Sequence, residues 1–153
     1  MSGVSGAQLR LAAMNALARR EHSKGELKEK IAARFKDCDE LIEQILEQLA
    51  GEGLQSDIRF AESYSRARIN RGYGRLQIAH NLKTKGVTED VIRQVFDALE
   101  PDWFALASEV LVKRFGCTPA QDLRDKGRRV RFLQYRGFNG EQIRHALEEQ
   151  ARR

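Results

Sequence analysis

The sequence predicts an all-α fold: three tandem three-helix repeats, about nine helices in all, forming an elongated, curved helical array. Three observations predict it. Apolar residues recur at three- and four-residue spacing, as in Leu41, Ile42, Ile45, Leu46 and Leu49, or Val91, Ile92, Val95, Phe96 and Leu99. Strand-like alternation is nowhere sustained. A turn pattern also returns 51 residues later, from Leu82–Phe96 to Leu133–Leu147.

The helices follow from their punctuation. Ser, Thr, Asp and Asn side chains satisfy the free amides of a first turn, and Gly tolerates the left-handed turn after a last one. Ser23 with Glu26, Asp37 with Glu40, and Asn139 with Gln142 have the spacing of a capping box, and Ser56 and Thr88 are further N-cap candidates. Gly51, Gly53, Gly72, Gly86, Gly116 and Gly137 mark the opposite ends. The expected helices are 6–20, 24–35, 38–50, 57–71, 75–85, 89–100, 102–115, 120–136 and 140–151. Gly25 falls inside a first helical turn, where it costs up to about 1 kcal/mol of helix propensity and would loosen the first repeat.

Grouped in threes, the helices give repeats at 1–53, 54–100 and 101–153. In the recurring turn a basic residue (Lys85, Arg136) complements the helix C-terminus, Gly turns the chain, Val87 or Phe138 packs back, and Thr88 or Asn139 caps the next helix. A weaker copy places Ile42 and Leu46 about 50 residues before Ile92 and Phe96, with Asp37-Cys38 replacing the Gly turn. Units this small bury little apolar surface alone and must share a core with their neighbours.

Composition narrows the function. With 153 residues, 41% hydrophobic, 32% charged and only two prolines, the chain reads as globular. It has neither an apolar run of membrane length nor a signal-like N-terminus, so it is expected in the cytoplasm, as a monomer. Cys38 and Cys117 share no metal-ligand spacing and are expected as free thiols. His22, His80 and His145 are scattered, and Gly72-Tyr73-Gly74 joins two helices instead of a strand and a helix, so no cofactor or metal is expected. Tyr73 either fills a gap between helices or stands exposed as a contact. The acidic residues face Lys and Arg at helical spacing, and no acid/base dyad stands out; an enzyme reading would need a buried carboxylate or His in a deep pocket.

The net charge of +5 grows toward the C-terminus: eight basic residues face nine acidic ones in 1–53, eight face six in 54–100, and eleven face seven in 101–153. On the fourth helix Glu62 is placed to pair with Arg59 and Arg66, whereas Arg68, Arg71 and Arg75 crowd the helix end and the Gly loop without nearby acids. On the eighth, Arg124, Arg128, Arg131 and Tyr135 form a basic-aromatic stripe at i, i+4, i+7 and i+11, beside an apolar side of Leu123, Val130 and Leu133. Arg129 and Arg136 flank it, with Asp125 placed to neutralise Arg129. A stripe of this kind suits phosphates or an acidic surface.

Three segments resemble the RecX family of bacterial regulators of the RecA recombinase: Arg19-Arg20-Glu21-His22-Ser23 through Leu27; Asp57-Ile58-Arg59-Phe60-Ala61 with Tyr64, Arg68 and Gly72-Tyr73-Gly74; and Phe132-Leu133-Gln134-Tyr135-Arg136-Gly137-Phe138. The resemblance covers nearly the whole chain, though Gln55-Ser56 departs from it where that family often has Asp before Asp57. It implies three three-helix repeats, no catalytic activity, and binding in the groove of a RecA filament on DNA. It further implies inhibition of recombinase, ATPase and co-protease activities, and so modulation of DNA repair, recombination and the SOS response. Single- or double-stranded DNA would be bound weakly and without sequence preference. A different class of reading is a helix-turn-helix-like, sequence-specific DNA-binding protein, which would prefer one duplex sequence over random DNA.

Overall fold

The structure, a computed structural model, describes residues 3–152, and among these it contains nine helices and no strand. They are α1 (Gly6–Arg19), α2 (Lys24–Arg34), α3 (Asp39–Gly51), α4 (Asp57–Asn70), α5 (Arg75–Thr84), α6 (Glu89–Leu99), α7 (Trp103–Phe115), α8 (Leu123–Arg136) and α9 (Gly140–Arg152). Packing divides the chain into two compact units, Met1–Ser63 with Leu82–Val95, and Tyr64–Asn81 with Phe96–Arg153. In the first, Leu9, Leu27, Ile31, Ile42, Leu46 and Leu49 form the core of α1, α2 and α3. In the second, Leu111, Leu133, Phe138, Ile143 and Ala146 unite α7, α8 and α9.

Most helix ends obey local chemistry. Reciprocal capping boxes start α2 (Ser23, Glu26) and α9 (Asn139, Gln142), and a third, Ser5 with Gln8, starts α1. Asp102 and Asp122 cap α7 and α8. The Asp37–Glu40 box does not form: Asp37 turns to φ 60°, and Cys38 is the N-cap of α3 without a side-chain bond. The start of α8 lies later than its apolar pattern predicts because Asp122 supplies the cap, accepting the Asp125 amide at 2.8 Å. Leu123, expected on the buried side, is 86% exposed in that first turn.

The helix stop is one device used four times. At Gly53, Gly72, Gly86 and Gly137, φ is 77–101°, the Gly amide donates to the carbonyl three residues back, and the next amide donates five back. This is the Schellman arrangement, and the positive φ makes Gly the favoured residue.

Two of these stops are also docking points, one in each unit, and in each a glycine lets the start of another helix approach the stop's backbone closely. In the first, the Lys85 carbonyl at the end of α5 accepts the Ser23 hydroxyl at 2.7 Å, and a Cβ on Gly25 would lie 2.5 Å from that carbonyl oxygen. Gly25 is therefore required by close backbone approach, and it ties the start of α2 down where helix propensity alone predicts loosening. Ser23 Oγ also accepts the Glu26 amide at 3.0 Å. Asp57 accepts the Lys24 amide and the Gln55 side chain, each at 2.9 Å, and Gln55 donates to the His22 carbonyl as well. The departure at Gln55 is thus a buried bridge.

In the second unit the Gly74 amide donates to the Arg136 carbonyl (2.7 Å) and the Leu76 amide to that of Gly137 (3.0 Å). A Cβ on Gly74 would lie 2.5 Å from the Gly137 oxygen, and one on Gly137 would lie 2.5 Å from the Gln77 backbone nitrogen. Gly72-Tyr73-Gly74 is accordingly a stop followed by a docking point.

The loop from α7 to α8 is held by a buried arginine. Arg129, 5% exposed, donates to Asp125 (3.2 and 3.3 Å), the Thr118 carbonyl (2.8 Å) and Gln150 Oε1 (2.8 Å), while Gln150 donates to the Gly116 carbonyl (2.7 Å). The Gln121 amide, then Arg129 and Arg128, hold the Asp125 carboxyl below its usual range.

Two predictions follow from these contacts. Gly25→Ala and Gly74→Ala are each expected to lower stability by about 1–3 kcal/mol in thermal unfolding, the opposite sign from helix propensity. Gly51→Ala, with open space around it, serves as control. Arg129→Lys is expected to cost about 3 kcal/mol in urea unfolding near neutral pH. Because the Asp125 pKa is depressed by folding, its share of this stability is present above about pH 4 and disappears as pH falls through the depressed value. The gap between wild type and variant therefore narrows in acid.

Candidate functional site

The second unit concentrates the positive charge: 15 basic residues against 9 acidic, whereas the first has 12 against 13. Its cations are interleaved with aromatic rings. The guanidinium groups of Arg68 and Arg136 both lie over the Tyr73 ring, 4.1 and 4.8 Å from its centroid. Arg136 also lies over Phe132 (5.0 Å), as does Arg114 (5.4 Å), and Phe132 meets Phe115 edge-on at 5.6 Å. Arg128 and Arg129 lie over Phe115 at 5.4 and 5.1 Å. The chain's ends and turns place these rings: Phe115 and Arg114 close α7, Phe132 and Arg136 belong to the last turns of α8, and Tyr73 follows the Gly72 stop.

Cation–π contacts contribute about 0.5–1 kcal/mol each where exposed and keep the flat faces of arginines ordered without neutralising them. Arg136 is further fixed by donating to the carbonyls of Arg71 (2.8 Å) and Gly72 (3.3 Å), the free acceptors at the end of α4. Arg68 is half-buried, and its Nε is buried without a hydrogen-bond partner, so stacking on Tyr73 and Tyr64 is what positions it. Arg75 lies over Phe96 at 5.2 Å, beside the edge-to-face pair of Phe96 and Trp103.

The ten residues singled out by sequence therefore fall into distinct roles. Arg71, Arg124 and Arg131 are exposed and make no ion pair among the described residues, and Tyr135 is 73% exposed. Arg68, Tyr73 and Arg136 form one stack, and Arg75 packs apart from it on Phe96. Arg128 is exposed but bonded to Asp125 at 3.2 Å, so one member of the α8 stripe already has an acidic partner. Arg129 faces inward and serves the α7–α8 loop; one helical step, about 100°, separates it from its exposed neighbour. Arg59 bonds Glu21 (3.1 Å) and the Gly53 carbonyl (2.8 Å).

Sequence reasoning missed Lys113, Arg114 and Phe115, whose Lys-Arg-Phe end reads as ordinary C-terminal charge on a helix. Their partner Phe132 lies on another helix, and only the fold joins them. With Arg71, Gly72, Val110 and Arg136, residues Lys113, Arg114 and Phe132 line a cleft of about 320 Å³.

Among the described residues no group of His, Cys, Asp and Glu could hold a metal ion, and no helix is long and apolar enough to cross a membrane. Cys38 (buried) and Cys117 (exposed) are free thiols. Burial lowers the pKa of His22, which packs its Nδ1 3.1 Å from the Arg20 carbonyl, and His145 pairs with Glu149 at 3.1 Å on the surface of α9.

Comparison with known proteins places this arrangement. Residues 56–95 match the family model of the second three-helix domain of RecX, and residues 100–147 that of the third. Regulatory protein RecX of Chromohalobacter salexigens is 47% identical over 135 residues, 88% of each chain. That of Halorhodospira halophila is 42% identical over 145 residues, 95% of this chain and 89% of the relative. The crystal structure of RecX from Lactobacillus salivarius superposes with a TM-score of 0.77 at 22% identity, covering 97% of both chains. A second crystal structure, of a regulatory protein RecX, gives 0.79 at 23% identity over 94% of this chain and 73% of that one. On identity and coverage together, the chain belongs to the RecX family of regulatory proteins.

Proposed function

We propose that this chain is a non-catalytic cytoplasmic regulator that binds the nucleoprotein filament of a RecA-type recombinase as a monomer. There it inhibits the recombinase, ATPase and co-protease activities, and so modulates DNA repair, recombination and the SOS response. The observation that carries the reading is the arginine–aromatic ladder of the second unit, with Arg71, Arg124 and Arg131 left outward and unpaired beside it. An ordered, unneutralised cationic surface of this kind meets the acidic groups of a nucleoprotein, and charge attraction to phosphates carries no base-sequence information. Binding to bare DNA is then weak, salt-sensitive and sequence-indifferent.

Recombinase ATPase on single-stranded DNA, titrated with this protein, tests the reading. Wild type is expected to inhibit below recombinase stoichiometry. The double variant Arg124→Glu, Arg131→Glu is expected to require about tenfold more protein, one or two lost charge contacts' worth, with unchanged helicity and melting. Absence of inhibition by folded wild type against a matched recombinase would overturn the proposal. A preference of several kcal/mol for one duplex sequence would instead establish a sequence-specific DNA reader.

A further inference from the structure

The cleft between the end of α4, the last turns of α7 and the end of α8 has a composition that the ladder alone does not explain. Four cations surround it, Arg71, Lys113, Arg114 and Arg136, and none is paired with a carboxylate among the described residues. Its one acidic lining residue, Glu109, is likewise exposed and unpaired. Between these charges the wall is apolar: Leu106, Val110 and Phe132. Four positive charges gathered around a single negative one repel one another, and an anionic ligand relieves that repulsion.

We propose that this cleft is the seat of an acidic peptide segment of a protein partner, one that carries an apolar side chain among its carboxylates. The inference deepens the function proposed above and rests on it: within the same unit it assigns the cleft to protein and leaves the outward Arg124–Arg131 face of α8 to nucleic acid. Three observations favour a peptide over a nucleic-acid strand. The apolar wall suits a Leu-sized side chain, whereas a sugar-phosphate backbone has nothing to fill it. The Phe132 ring is already engaged by Arg114, Arg136 and the edge of Phe115, so a nucleobase finds no open ring to stack on. Glu109 repels a continuous polyanion passing through the cleft, but it accommodates a chain whose side chains vary in charge from one to the next. Bidentate guanidinium–carboxylate pairing supplies the attraction.

The test uses the full chain and two labelled probes at matched salt: a short peptide rich in Asp, Glu and Leu, and an oligothymidylate, each followed by fluorescence anisotropy. Lys113→Glu is expected to weaken the peptide about tenfold and the oligonucleotide by less than about twofold. Arg124→Glu with Arg131→Glu is expected to do the reverse. Arg114→Gln, which keeps most of the stem on Phe132, is the second cleft variant should Lys113→Glu perturb α7. Two results overturn the inference: competitive displacement of the peptide by oligothymidylate with both probes lost in Lys113→Glu, or no peptide binding by a wild-type protein that still inhibits recombinase ATPase. Peptide binding without ATPase inhibition would leave this inference standing and overturn the function proposed above.

Discussion

The last carbonyls of a helix have no partners within it, and this chain is organised around where two sets of them go. At Lys85 they meet the first turn of α2, and at Arg136-Gly137 they meet the first turn of α5. The negative end of one helix thereby meets the positive end of another: at Lys85 the capping Ser23 hydroxyl meets the free carbonyl, and at Arg136-Gly137 two backbone amides do. The contact works only at backbone-to-backbone distance, so Gly25, Gly74 and Gly137 are required there. The ladder inherits its geometry from the second of these junctions, since Tyr73 sits between the Gly72 stop and the Gly74 docking point, and Arg136 is the residue whose carbonyl is docked.

The arginines divide by what holds them. Arg129 is satisfied by Asp125, Gln150 and a carbonyl, a neutralised arrangement that binds the α7–α8 loop and has nothing left for a partner. Arg68, Arg114 and Arg136 are held by rings, which order a guanidinium without cancelling its charge. Ring-held arginines are thus pre-ordered, and the proposed binding would cost less side-chain entropy through them than through free ones.

How far this could be read in advance depended on whether the cause was local. Helix number and most ends were legible, because a Ser or Asn cap and its Glu or Gln lie three residues apart, and a Gly stop bonds only within its own last turn. The places that misled were those where a residue answers to something distant. Gly25 reads as a weak helix former until the Lys85 carbonyl is brought against it. Leu123 continues an apolar pattern but stands on a first turn that nothing covers. Helical phase separates Arg128 from Arg129, and the expected Asp125 pairing of Arg129 forms, but the burial of Arg129 against Gln150, 21 residues on, follows only from the packed fold. Arg114 and Phe132, 18 residues apart on two helices, come together in the candidate site only once α7 and α8 are packed.

Docking through carbonyls also makes helix length a ruler. One residue inserted within α8 would advance its end by about 1.5 Å and swing it through about 100°, turning the Arg136 and Gly137 carbonyls away from the Gly74 and Leu76 amides. Side-chain substitutions along the outer face of that helix leave this register untouched. Relatives of this chain should therefore drift in residue identity there while holding the count from Asp122 to Gly137 constant, and length changes should collect outside that span.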